Sequence, residues 1–102
     1  MVPAKRRGDL TDWLEILKEQ TEAGERMGKE VPKMLSDPAI TAEQVRSLFQ
    51  ALEKQAEFVE KLTATLEKYG YDFDIVKAAE TLEERYVDLA AEAAEKLRAM
   101  RG

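Results

Sequence analysis

Side chains able to carry out chemistry are scarce in this chain, and the missing types narrow its functions more than the present ones do. Its 102 residues include no His, no Cys and no Asn. That removes imidazole acid–base chemistry, thiol nucleophiles, disulfides, zinc sites built on Cys or His, and N-linked glycosylation. Asp72, Asp74 and Glu83 fall at positions 1, 3 and 12 of a notional EF-hand loop. Position 6, where that loop needs Gly, is Lys77, and position 5 is Val76, so helix capping is the better account of the two aspartates. The Gly24-x-x-x-Gly28 spacing matches a membrane packing motif, but its neighbours are too charged for lipid and it reads as a closely packed or loosened helix segment. No catalytic residue, cofactor or metal is expected.

The 21 acids and 16 bases leave a formal charge of −5, a sign that repels a phosphate backbone unless the bases are segregated. The clearest basic cluster is Lys5-Arg6-Arg7, within a segment, residues 1–8, that also holds Pro3 and Gly8 and reads as a disordered basic arm. Three charges release about three counterions and give a salt slope of only ~2.7, so nucleic acid is not the expected partner. No apolar run approaches the ~18 residues of a membrane span. The start of the chain lacks the apolar stretch of a secretory signal. A cytoplasmic setting without membrane contact is the default expectation.

Ala, Glu, Lys, Leu and Arg make up more than half of the residues, the composition of long helices and coiled coils. Residues 9–102 are expected to form one all-α domain with three helices, about 9–35, 41–69 and 73–100. Asp9 or Thr11 is expected to cap the first, whose apolar rhythm of Leu10, Trp13, Leu14 and Leu17 continues weakly through Gln20 and Gly24 to Met27, Val31, Met34 and Leu35. Gly24, Gly28 and Pro32 are each unfavourable inside a helix, so a kink or break is expected near 24–32. Thr41 and Gln44 form a capping box for the second helix. Its stripe of Val45, Leu48, Leu52, Gln55, Val59, Leu62, Leu66 and Tyr69 is unbroken and ends at Gly70, a natural C′ residue. The third helix follows Asp72 or Asp74 and carries Ile75, Ala79, Leu82, Tyr86, Leu89, Ala93, Leu97 and Met100 at 4-3 spacing, with an alanine-rich second half that permits close helix approach. Short connectors make neighbours antiparallel, so the expected fold is an up-down-up three-helix bundle with coiled-coil-like packing.

Folding these helices about their connectors brings Gln20, Gln55 and Tyr86 into one polar layer, either a register-setting feature or the lining of a small ligand site. Phe49, Phe58, Val76 and Val87 lie beyond the main seams and are the candidate interface. Trp13-Leu14, Gly28-Lys29-Glu30, Gly70-Tyr71-Asp72 and Leu82-Glu83-Glu84-Arg85-Tyr86-x-x-Leu89 together resemble a spectrin-type triple-helical repeat over nearly the whole length. Membership in that family would imply a spacer or actin-associated scaffold. The pattern departs from the family at Tyr86, where the family has Trp, and at Thr41, which opens a helix where the family is well inside one, and membership is not assigned.

Three functional classes follow. The leading one is a non-enzymatic interaction or scaffold module that self-associates, as a homodimer or higher oligomer, or binds a partner protein's helix in a larger assembly. The second is a nucleic-acid-associated adaptor using Lys5, Arg6 and Arg7. The third is a small all-α enzyme of the chorismate-mutase type, which would need inward-facing bases. Lys18, Arg26, Lys29, Lys54 and Arg85 fall beside the seams instead.

Overall fold

In the computed structural model, which describes residues 12–101, the first helix opens at Asp12, whose side chain accepts the Glu15 N–H at 3.1 Å. The expected caps, Asp9 and Thr11, are thus replaced by a third residue of the same chemistry. Helix α1 spans Trp13–Ser36, α2 Ala42–Lys68 and α3 Phe73–Arg101. The chain is an all-α three-helix bundle, antiparallel between sequence neighbours.

The expected break in α1 is absent. The helix runs continuously through Gly24, Gly28 and Pro32. Gly24 is buried against α3, and a Cβ built on it would lie 2.5 Å from Leu82 Cδ1, so the absent side chain is what lets α1 approach. The propensity cost of glycine, about 1 kcal/mol, is offset by that contact. Pro32 stands in the last turns, exposed, where its missing N–H removes one backbone bond only. Val31 and Leu35, buried on either side of it, hold that end of the helix on the core.

The connectors follow local chemistry closely. Asp37 Oδ1 accepts the Ala39 N–H at 2.9 Å in the Asp37-Pro38 turn. The Thr41–Gln44 capping box is complete: the Gln44 N–H donates to Thr41 Oγ1 at 3.1 Å and the Thr41 N–H to Gln44 Oε1 at 2.9 Å. Gly70, at φ +75°, ends α2, with its N–H donating to the Glu67 carbonyl and that of Tyr71 to the Leu66 carbonyl. This is the Schellman pairing, and only glycine takes its left-handed residue without strain. Asp72 then precedes α3, its carbonyl accepting from Ile75 and Val76. Asp74 lies in the first turn at the positive end of the helix dipole.

Packing is unequal. α2 and α3 form the closest pair, and α1 lies more against α3 than against α2. Leu52, Val59 and Leu66 of α2 are fully buried opposite a third helix whose buried face includes Ala79, Ala90 and Ala93. The same face of α3 buries Val76, Leu82, Tyr86 and Leu89, so small and large side chains are mixed along it.

Candidate interaction surfaces

The three residues of the expected polar layer sit in different environments. Tyr86 is 1% exposed, with its ring and hydroxyl over Gly24. Burial pushes its phenol above the ordinary value, against the lowering effect of Arg26 and Arg85. Gln20, one turn before Gly24, is half-buried, and its Oε1 is buried without a hydrogen-bond partner. Gln55 corrects the expectation: it is exposed and outside the layer. The cause is the lean of α1 toward α3, where Gly24 admits it, which leaves the middle of α2 uncovered on that side. No hydrogen bond joins the three residues.

The four candidate interface residues separate into three environments. Val76 is a second correction, only 8% exposed and part of the core, because the short turn through Gly70 lays the first turn of α3 onto the end of α2. Phe49 and Val87 line the same open groove of about 820 Å³ on the outer side of the α2–α3 pair, Phe49 half-buried and Val87 50% exposed. Phe58, 44% exposed, is nine residues from Phe49 and therefore half a revolution away on α2. It shares its edge with Ala51 and Gln55, both exposed.

The groove is acidic. Glu53, Glu57 and Glu60 border it from α2 and Glu83 from α3, with Lys54 as the basic residue among them. Partial burial, followed by the charges of Glu60, Glu80 and Glu84, pushes the Glu83 carboxyl above its ordinary value. The two ion pairs among the described residues are local to α3, Lys77–Glu80 at 4.0 Å and Arg98–Glu95 at 2.6 Å.

Sequence periodicity misses one feature altogether, an aromatic end to the bundle. The Trp13 ring stacks on Tyr69 at 6.5 Å, and Lys68 Nζ lies 5.9 Å from the Tyr69 centroid. Tyr69 is 61% exposed and Phe73, beyond the connector, 76%. Tyr69, Leu14, Met34 and Met100, placed on the seams by their spacing, are all exposed. A readable signal exists for Tyr69: it sits immediately before the helix-ending Gly70, where the helical phase no longer applies.

Residues 72–83, the notional EF-hand loop, are helical from Phe73 onward. Among the described residues no group of three or more acids could hold a metal, and no helix is long and apolar enough to cross a membrane. Lys5, Arg6 and Arg7 lie outside the described residues. Comparisons of the chain with protein-family models, with curated proteins and with solved structures find no match.

Proposed function

We propose that the protein is a non-enzymatic helical interaction module, a scaffold element that acts through helix–helix contacts in a larger assembly and associates with a second copy of itself. The observation that carries this reading is Phe58, 44% exposed at the centre of α2 although the core closes without it. Ala51 and Gln55 extend the same edge along the helix. Gln55 lies midway along α2 (Ala42–Lys68), so an antiparallel two-fold contact places each Gln55 near its mate, where two amides can pair, with Phe58 packed on either side. That arrangement supplies the exposed amide with a partner and removes a large apolar ring from water.

Light scattering coupled to size exclusion, at tens of micromolar protein, should report about twice the 11.6 kDa chain mass. Phe58→Glu should return the mass to that of one chain while far-UV circular dichroism stays helical. A monomeric wild type at these concentrations overturns the self-association. A Phe58→Glu chain that unfolds would show instead that the ring belongs to the intramolecular core.

A further inference from the structure

The outer α2–α3 groove combines shape, apolar walls and charge in a way that the core does not use. Phe49 and Val87 stand above small side chains, Ala56, Ala90 and Ala91, which leave the open space of about 820 Å³. Along α2 the lining runs from Phe49 to Glu60, roughly 17 Å at 1.5 Å per residue, the length of three turns of a helix. Alanines between two antiparallel helices let a third axis come to the ~8–10 Å of ordinary helix packing. The lining is acidic on balance, with Glu53, Glu57 and Glu60 against Lys54 on the α2 side and Glu83 on the α3 side, and none of these four glutamates makes an ion pair among the described residues. Burial first, and then the charges of Glu60, Glu80 and Glu84, raise the Glu83 carboxyl, and of these three Glu60 lines the groove itself.

We propose that this groove docks an amphipathic helix of another protein, one that carries an apolar stripe flanked on both sides by Lys or Arg. The apolar stripe covers Phe49 and Val87, and the basic flanks meet glutamates that otherwise repel one another, so the occupant is selected by charge complementarity. This goes beyond self-association, because the groove lies across α2 from Phe58 and needs no second copy.

The test uses the full chain and two synthetic helices about four turns long with identical apolar stripes, one flanked by Lys and the other by Glu, titrated by fluorescence anisotropy. At low salt the Lys helix should bind about ten-fold tighter or more, as three or four weak surface charge pairs imply. The difference should shrink as salt screens it. Ala91→Lys and Glu57→Lys, both at exposed positions, should weaken binding of the Lys helix without loss of helicity, and its amide shift changes should centre on Phe49, Val87 and Ala91. Repeating the titration with Phe58→Glu separates this result from the oligomeric state. Equal affinity for the two helices, no binding of either, or shift changes confined to the Phe58 edge would each overturn the proposal. So would tighter binding after deletion of residues 1–8, which would make the chain's own Lys5-Arg6-Arg7 segment the occupant.

Discussion

The α2–α3 hairpin and helix α1 are written in the same apolar rhythm yet pack to different depths. In the hairpin, Leu52, Val59 and Leu66 are wholly buried and meet a neighbour that presents Ala79, Ala90 and Ala93. Helix α1 buries Leu17 near one end and Val31 and Leu35 near the other, and between them it offers Gln20, Gly24 and Met27. Its closest approach to α3 depends on Gly24, a residue with nothing of its own to bury. A repeat of apolar positions thus sets which face turns inward, whereas complementarity of side-chain size sets how firmly that face is held.

The two regions should respond unequally to truncation. Leu52→Ala, at a fully buried site in the hairpin, should cost about 3–4 kcal/mol in urea unfolding. Leu17→Ala, near the end of the lighter helix, should cost about 2 kcal/mol, and equal losses would mean that α1 is as firmly packed as the hairpin.

The two helical glycines sharpen the point, because they share a propensity cost and differ in surroundings. Gly24→Ala drives a methyl against Leu82 and should lower stability by about 1–2 kcal/mol despite the gain in helix propensity. Gly28→Ala meets only the flexible Arg85 side chain, 3.8 Å away at its nearest atom. It should raise stability by about 0.5–1 kcal/mol, and a loss there would show that α1 needs both glycines.

Smaller effects follow from polar groups. Gln20→Leu removes an acceptor buried without a partner and should raise the unfolding free energy by about 1 kcal/mol. A loss would mean that Oε1 is satisfied by ordered water. Glu83 gives the smallest effect and a defined sign. Its folded-state pKa is raised, so the folded chain holds the proton more tightly than the unfolded one. The associated stability is present below the ordinary carboxylate range and is lost as pH rises through the folded value. Glu83→Gln should therefore be slightly more stable than wild type at neutral pH and equal to it in acid, as read by the thermal midpoint across that interval.

Much of the architecture was legible locally. The Thr41–Gln44 box and the Gly70 stop are decided within a few residues, because each satisfies backbone groups of its own turn, and both form as expected. The α1 boundary shifted to Asp12, where three nearby residues, Asp9, Thr11 and Asp12, share the chemistry of a cap. Of the four expected interface residues, Phe49 and Val87 line one groove, a grouping of these two that the sequence reading does not make. Val76 and Gln55 differ from expectation because phase says how far a residue lies from a seam but not what covers it: the end of α2 covers Val76, and α1 leans away from Gln55.

Three helices, their order, their turns and the acidic balance of the chain follow from composition, periodicity and capping, all of which act over one or two turns of backbone. The continuity of α1 is different in kind. Glycine is a poor helix former until Leu82 and Tyr86 arrive across the bundle to occupy the space above it, a contact between residues about sixty positions apart in sequence. The same lean of α1 toward α3 exposes Gln55 and leaves Phe58 at an open edge, while the alanines of α3 draw α2 close and shape the groove on the far side. Such features belong to tertiary structure because they depend on which of two neighbours a helix approaches more closely, a balance of packing between whole faces that no single segment contains.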